Sequence, residues 1–240
     1  MKSIIKFLLR KVGWRLEKLR LRKDYNIETP PKELLNVLRD CSGIFHLGAH
    51  RGEEAPVYEW FGKKVVWVEA NPIIFQDLSD NLIKYKFQKA YKALISNIDD
   101  QKIDFYLSSN DYASSSIFEL GNLSSGTESL WPEKRLKYIN KKKLLSKTID
   151  TIVDQNSINI EDYDHWVMDL QGAELLALQG ATKSLKFCKS LYIEVSKGEV
   201  YKGGANWIDI LKFLEQHDYK QMWNLNSDHT NILFVKNKFL

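Results

Sequence analysis

The chain has 240 residues, 44% of them apolar and 28% charged, which is typical of a soluble globular protein with one sizeable core. Only two cysteines occur, Cys41 and Cys188, which argues against a disulfide framework and against structural zinc and favours a reducing compartment. Since no apolar run approaches the roughly twenty residues that a spanning helix needs, we expect a cytoplasmic protein.

Residues 1–23 differ from the rest in charge. They hold nine Lys or Arg against Glu17 alone, a net +8, and the whole chain is +4, so residues 24–240 sum to −4. Apolar side chains recur there at helical spacing: Ile5, Leu8, Leu9, Val12, Leu16 and Leu19. We predict that residues 1–42 are a basic amphipathic helical extension preceding a domain over residues 43–240.

Such a helix can lie on an anionic membrane, which would place the protein peripherally on the inner membrane face, or it can pack on its own domain. Co-sedimentation with anionic vesicles separates the two interpretations, because only the first predicts recovery with the lipid. The acidic remainder of the chain argues against nucleic acid as the main partner, since a basic surface should then lie on the folded domain.

After Pro30-Pro31, a short helix is predicted over residues 32–39, and from Gly43 strands alternate with helices. The predicted strands cover residues 44–47, 65–69, 90–96, 103–107, 166–170, 191–195, 220–224 and 231–235. The predicted helices cover residues 53–61, 73–85, 173–185 and 207–216. This order is typical of an α/β fold with a mostly parallel sheet, helices on both faces and a closing antiparallel hairpin.

Residues 108–147 interrupt that rhythm. They are rich in Ser and Asn and end near the run Lys141-Lys142-Lys143. A long irregular segment within a domain is often functional, so we interpret it as a flap on the acceptor side of a binding site. The alternative is a surface loop with a solvated charge run.

The first two predicted strands carry the first candidate site. Strand 44–47 runs into Gly48-Ala49-His50-Arg51-Gly52, and strand 65–69 ends in Glu69. Glycines let backbone approach a ligand, and a carboxylate at the second strand end can accept both ribose hydroxyls. Glu53-Glu54 then disfavour a bound phosphate and suit a ligand that carries positive charge. The alternative is an ordinary turn followed by a surface Glu.

Two further carboxylates follow strands of the same predicted sheet. Asp169 ends the strand over residues 166–170, with Glu174 opening the next helix, and Glu194 lies at the end of the neighbouring strand. Together with Glu69, these are more acids than helix capping requires, although an N-cap role remains the alternative for Asp169.

Four stretches together resemble the FkbM family of S-adenosylmethionine-dependent methyltransferases, over roughly residues 43–235. They are Ile44 to Gly52, Val68-Glu69-Ala70-Asn71-Pro72, Asp169-Leu170-Gln171-Gly172-Ala173-Glu174-Leu175, and Ile193-Glu194-Val195-Ser196 with Tyr201. The resemblance implies a Rossmann-like class I methyltransferase fold with a seven-stranded sheet and S-adenosyl-L-methionine as cofactor. It also implies methyl transfer to oxygen.

By this resemblance, the glycine turn holds the methionine end of the cofactor, Glu69 holds the ribose, and Asp169 lies beside the transferable methyl. The residues expected to bind the cofactor are His46, Gly48, Ala49, His50, Gly52, Glu69, Ala70, Asn71, Ser96, Asn97, Asp169 and Gln171. Ser96 and Asn97 are expected to flank the adenine. Two positions depart from the family pattern, because His46 replaces a common Asp and Asn97 replaces a usual acid.

The resulting hypothesis is an O-methyltransferase that acts on a hydroxyl of a glycan, a lipid-linked saccharide or a related metabolite. Asp169 is the first candidate for the base, followed by Glu194 and Glu174. We expect no metal, although Asp169 and Glu194 could alternatively hold a divalent ion, which EDTA would remove. Alternatives are an RNA or protein methyltransferase, a catalytically silent cofactor-binding scaffold, and a nicotinamide-dependent oxidoreductase, which the missing third glycine disfavours.

Overall fold

The computed structural model describes residues 31–125, 130 and 136–240, and Glu33–Leu240 form one compact unit. Its strands are β1 (Gly43–Leu47), β2 (Lys64–Glu69), β3 (Gln88–Lys92), β4 (Leu94–Ile95), β5 (Lys102–Ser108), β6 (Tyr138–Lys147), β7 (His165–Met168), β8 (Ser190–Ser196), β9 (Tyr219–Gln221) and β10 (His229–Lys236). Its helices are α1 (Lys32–Asp40), α2 (Ala55–Trp60), α3 (Pro72–Leu82), α4 (Asn122–Ser125), α5 (Ile149–Gln155), α6 (Glu174–Gln179) and α7 (Trp207–Gln216). The amphipathic helix predicted within residues 1–23 lies outside the described residues.

Seven strands form the main sheet in the order β3-β2-β1-β7-β8-β10-β9. The first five of these are parallel, while β10 runs antiparallel to both β8 and β9. The predicted α/β fold with a parallel sheet and an antiparallel edge hairpin is therefore confirmed. Because β1, β2, β7 and β8 are parallel neighbours, their carboxyl ends meet at one edge, where open α/β sheets bind ligands.

Helices cover both faces of this sheet, so its central strands are buried on both sides. In β1, Phe45 and Leu47 pack on one face with α5, α6 and α7, while Ile44 packs on the other face with α1, α2 and α3. Successive strand side chains point to opposite faces, which explains why these strands have continuous apolar sequences. The unbroken runs in the sequence therefore correspond to central strands.

A second, three-stranded sheet has the order β4-β6-β5 and corrects the expectation for residues 108–147. The lysine run belongs to the ten-residue strand β6, which pairs antiparallel with β5. On its exposed side, Lys141 and Lys143 bind Asp104 of β5 at 3.0 and 2.8 Å. The prediction missed β6 because Asn140 and Lys142, on its other face, are polar as well, so the segment lacks the apolar–polar alternation that marks a half-buried strand.

Three predicted helices begin or end elsewhere by more than one residue, and the one predicted over residues 73–85 is observed as Pro72–Leu82. The helix after β1 starts at Ala55 rather than at residue 53, with Pro56 in its first turn, where proline fits best. The helix after β7 ends at Gln179, before Gly180, rather than at residue 185. A side-chain carbon at Gly180 would lie 2.5 Å from the carbonyl oxygen of Ser96, so this close backbone contact requires glycine.

At the start of the compact unit, Leu34 and Leu38 of α1 are buried in the same apolar cluster as α2 and α3. The unit therefore begins at Glu33, ten residues before the predicted domain boundary.

Cys41 and Cys188 are both free thiols. Among the described helices, none has the length and apolar character needed to cross a bilayer.

Candidate active site

The turn after β1 touches the turn after β7. Gly48 has a φ of +83°, and a side-chain carbon at this position would overlap the carbonyl oxygen of Asp169. The amide of Asp169 donates to the carbonyl of Leu47 at 3.0 Å. Glycine suits both the left-handed backbone and the close contact. The two turns thus form a continuous wall at the carboxyl edge of the sheet.

Glu69, at the end of β2, is held by backbone amides. Its carboxyl accepts hydrogen bonds from the N–H of His50 at 2.9 Å and of Asn71 at 2.6 Å. Glu69 is only 8% exposed. Burial raises the pKa of its carboxyl to about 7, even though the bonds from the two amides oppose the shift. The side chain of Asn71 caps α3. These bonds fix the carboxyl group at the sheet edge, where it can accept hydrogen bonds from a ligand.

A cavity of about 230 Å³ opens between these turns and the second sheet. Gly48, His50, Glu69, Asp169 and Gln171 form part of its wall. Its apolar wall is made by Ala70, Ala93, Leu94, Phe105, Tyr112 and Ile117. The cavity therefore combines a carboxylate, an apolar surface that can face a flat ring and a second carboxylate. This combination suits a positively charged nucleoside.

An ion-pair cluster connects the β1 turn to the loop after β5. The guanidinium of Arg51 donates to both carboxylate oxygens of Asp111 at 2.6 and 3.1 Å and to Asp77 at 2.9 Å. A nitrogen of the His50 ring lies 3.0 Å from the carbonyl oxygen of Asp111. Asp111 and Tyr112 both have positive φ values, so this loop is held in a sharp turn over the cavity.

Asp169 is one of three carboxylates that come together at this edge of the sheet. Asp169, Glu174 and Glu194 each have an oxygen atom within 4.8 Å of the others. The side-chain amide of Gln171 lies among them and donates to Asp169 and, at 3.0 Å, to Glu194. Its carbonyl oxygen accepts from the hydroxyl of Tyr201. We call Asp169, Glu174 and Glu194 the acid cluster.

Two members of the acid cluster, Asp169 and Glu174, retain protons more strongly than isolated carboxyls. Burial and then the charge of Glu194 raise the pKa of Asp169 well above its usual range, and the same two causes raise the pKa of Glu174 to about 7. On the far side, the ring of His229 lies 2.9 Å from Glu194. Although burial opposes it, the bond to Glu194 raises the pKa of His229. Such a cluster can accept and hold a proton.

Part of the predicted cofactor set lines the cavity, namely Gly48, His50, Glu69, Ala70, Asp169 and Gln171. Ala49, Gly52 and Asn71 stand behind that wall. Gly52 has a φ of +71°, and a side-chain carbon there would press on Leu78 of α3 at 2.8 Å. These three residues shape the turns and do not line the cavity.

His46, which also belongs to the predicted set, does not line the cavity. It lies in β1 with its ring stacked on Trp67 and within 3.1 Å of the Tyr58 hydroxyl, and it is 4% exposed. Strand alternation turns it to the face that packs on α2, away from the cavity. Burial lowers the pKa of His46 to about 3, so the ring is neutral.

Ser96 and Asn97 also lie away from the cavity lining. Ser96 is 2% exposed, and the amide of Asn97 donates to Gln179 of α6 at 3.2 Å. The preceding residues Leu94 and Ile95 reach the cavity instead. The sequence reasoning missed these and Phe105, although the alternating apolar residues of the predicted strand 103–107 were a usable signal.

One family profile matches most of this chain. The profile of the family described as "Methyltransferase FkbM domain" matches residues 46–220. No curated protein matches this chain in sequence.

Several solved structures are similar in fold. A TehB-like SAM-dependent methyltransferase from Corynebacterium glutamicum is 13% identical, with a TM-score of 0.41 over 85% of this chain and 86% of that one. The magnesium protoporphyrin IX methyltransferase from Synechocystis, solved with bound SAM, is 10% identical, with a TM-score of 0.44 over 98% and 97%. TrmK from M. capricolum, solved with S-adenosyl-homocysteine, is 10% identical, with a TM-score of 0.42 over 85% and 68%. At these scores, nothing further about this chain follows from the similarities.

Proposed function

Since this chain belongs to the FkbM family of methyltransferases and uses S-adenosyl-L-methionine, we propose that it methylates a hydroxyl group of a glycan, a lipid-linked saccharide or a related metabolite. The observation that carries the proposal is the cavity whose lining includes both Glu69 and Asp169, a member of the acid cluster. Family resemblance supports oxygen as the methyl acceptor and a saccharide as the acceptor class.

The residues present fit the cofactor. A carboxylate at Glu69 can accept the ribose hydroxyls, Leu94 and Phe105 offer an apolar wall to the adenine, and Gly48 lines the cavity at the turn. When bound, S-adenosyl-L-methionine supplies an electrophilic methyl group on a positively charged sulfur. Positive charge in the cavity would favour the ionised form of Asp169, whose pKa is otherwise raised.

The protein's contribution is then positioning and proton removal. The bonded turns at Gly48 and Asp169 hold the wall rigid, which favours alignment of the reacting atoms. Asp169 accepts the proton of the acceptor hydroxyl, which makes the hydroxyl oxygen a better nucleophile. Glu194 and Glu174 keep the proton within the acid cluster, and His229, the first residue of β10, lies beside Glu194.

A direct test uses S-adenosyl-L-methionine labelled in the methyl group. The protein is incubated with free oligosaccharides, with an organic extract of lipid-linked saccharides, with RNA and with bulk protein. We expect label in a saccharide fraction, stable to mild alkali, because an ether resists hydrolysis that cleaves a methyl ester. Label confined to RNA or protein, or none in any fraction, would contradict the proposal.

Cofactor affinity should fall with acidity through Glu69. Its carboxyl has a pKa of about 7 in the free protein, and ribose hydroxyls donate better to the ionised form, so binding favours the charged state. Below that pKa, affinity should drop by up to about tenfold per pH unit. Calorimetric titrations between about pH 8 and about pH 6 measure it, bracketing the shifted pKa.

The comparison variant is Glu69→Gln, which should bind the cofactor more weakly and lose most of this pH dependence. A Gln offers one acceptor to the two amides that Glu69 satisfies, so thermal melting must be recorded alongside. Glu161→Gln, at an exposed position, serves as the matched control. An unchanged pH dependence in Glu69→Gln would assign the titration to another group.

Turnover should not require a divalent metal. The amide of Gln171 already donates to Asp169 and Glu194, and one oxygen of Glu174 accepts backbone amides of Leu170 and Gly172. A cation between the carboxylates would have to displace Gln171. We therefore expect the same initial rate before and after dialysis against EDTA. A loss of rate that Mg²⁺ restores would instead assign the acid cluster to a metal.

A further inference from the structure

We propose that Tyr201 is a positioning residue that orients the carboxamide of Gln171 and so sets the charge of the acid cluster. This inference rests on the proposed function only for its catalytic meaning. The geometry that carries it is one chain of hydrogen bonds. The Tyr201 hydroxyl donates to the oxygen of Gln171, and the nitrogen of Gln171 donates to Asp169 and Glu194.

Tyr201 is itself held firmly. It is 6% exposed, and its carbonyl accepts from the amide of Gly204 at 3.0 Å. Its backbone also forms a bridge with Leu120. A side-chain carbon at Gly172 would come within 3.0 Å of the Tyr201 ring, so the absence of a side chain there lets the ring reach Gln171. The donor is therefore fixed by the fold around it.

The backbone of Gln171 is also fixed, but its side-chain carboxamide can rotate. Gln171 has a φ of +53°, and its carbonyl oxygen accepts from the hydroxyl of Ser116 at 2.7 Å. A carboxamide has a donating and an accepting end, and rotation about its terminal bond exchanges them. What selects between the two ends must come from the neighbours.

The two orientations stabilise opposite charge states of the neighbouring acids. With its nitrogen toward Asp169 and Glu194, the amide donates to ionised carboxylates. With its oxygen toward them, it accepts from protonated carboxyls. The hydroxyl of Tyr201 donates to the oxygen and so favours the first orientation. Removing that hydroxyl makes the second orientation accessible, which stabilises the protonated acids.

Other ionisable groups face Asp169 from the elements around it. They are Glu174 from α6, Glu194 from β8 and His229 from β10, with the phenol of Tyr201 from the loop after β8. None of the first three contacts the oxygen of Gln171 that Tyr201 binds. A change confined to the Tyr201 hydroxyl therefore reaches Asp169 through Gln171.

The test is a carbon-13 titration of the full chain labelled at Asp carboxyl carbons, with the Asp169 signal assigned from Asp169→Asn. In Tyr201→Phe, the midpoint of Asp169 should rise by about one pH unit, since its ionised form loses a donor. The acidic limb of the pH–rate profile should move by the same amount, a loss of about tenfold on that limb. Turnover at high pH should be recovered.

A double-mutant comparison separates a path through Gln171 from a general disturbance. Gln171→Met removes the amide and should raise the Asp169 midpoint at least as much as Tyr201→Phe. The double variant should shift it no further than Gln171→Met alone, because Tyr201 then has nothing to orient. Tyr219→Phe, which removes a buried hydroxyl bonded to the carbonyl of Cys188 at 2.7 Å, is the matched control and should leave the midpoint unchanged.

An Asp169 midpoint that does not move in Tyr201→Phe, or shifts that add in the double variant, would overturn the inference. A uniform loss of rate at all pH values would do the same, since that is the signature of a structural role. The titration needs no acceptor, so it stands even if no methyl transfer to a saccharide is found. Failure of the proposed function and failure of this inference are thereby distinguishable.

Discussion

Asp169→Asn should lower kcat by about 100- to 10,000-fold, while the dissociation constant of S-adenosyl-L-methionine changes little. An Asn can still accept the bond that Gln171 donates, so the geometry of the cavity wall is kept while the proton acceptor is lost. In the unaltered protein, kcat/KM should rise with pH over a range above the one where an ordinary Asp titrates, because the pKa of Asp169 is raised and only its ionised form can take a proton.

Single-turnover kinetics and calorimetric titration measure the two quantities separately. Asp164→Asn is the matched control, because Asp164 is also buried and flanks the other end of β7, where it binds Ser42 and Lys189. That variant should lose stability and keep kcat. Normal turnover in Asp169→Asn would remove Asp169 from the mechanism and move the base to Glu194 or Glu174.

Gly48→Ala should destabilise the fold by roughly 4 kcal/mol or more. Alanine at a φ of +83° costs about 1–2 kcal/mol by itself. Its side-chain carbon would also overlap the carbonyl oxygen of Asp169, so β1 and β7 would have to separate at the edge that forms the cavity. Cofactor binding should be lost together with that stability.

Gly62→Ala isolates the effect of backbone strain. Gly62 has a φ of +65°, and no atom of the described residues lies within 4 Å of the position that its side-chain carbon would take. Urea unfolding of both variants should show a cost of about 1 kcal/mol for Gly62→Ala and a much larger cost for Gly48→Ala. Equal costs would mean that the turns after β1 and β7 do not touch.

The sequence was sufficient to predict the order along the chain of the strands that form the main sheet. An uninterrupted apolar run forms β2, the apolar runs of β1 and β8 are interrupted only by His46 and Glu194, and α7 was predicted with its observed ends at Trp207 and Gln216. Fully buried parallel strands have this signature because both of their faces need apolar side chains. Exposed β6 lacks the signature, since one of its faces meets water and carries Lys141 and Lys143.

For the candidate site, the sequence also indicated the acids that end the strands. Glu69, Asp169 and Glu194 follow apolar runs, and parallel strands bring their carboxyl ends to one edge. It could not tell which neighbouring residues face the cavity. His46 was expected there, but the register of β1 turns its ring toward Trp67.

From the sequence alone came the α/β fold, the glycine turn and the identity of the carboxylates, because local spacing and side-chain chemistry encode these directly. Only the tertiary structure decided which side chains meet across distant segments. The contact of Tyr201 with Gln171, the pairing of Arg51 with Asp111 and the apolar wall at Phe105 join residues that are far apart in the chain. Their approach depends on the packing of the whole sheet, which no short stretch of sequence specifies.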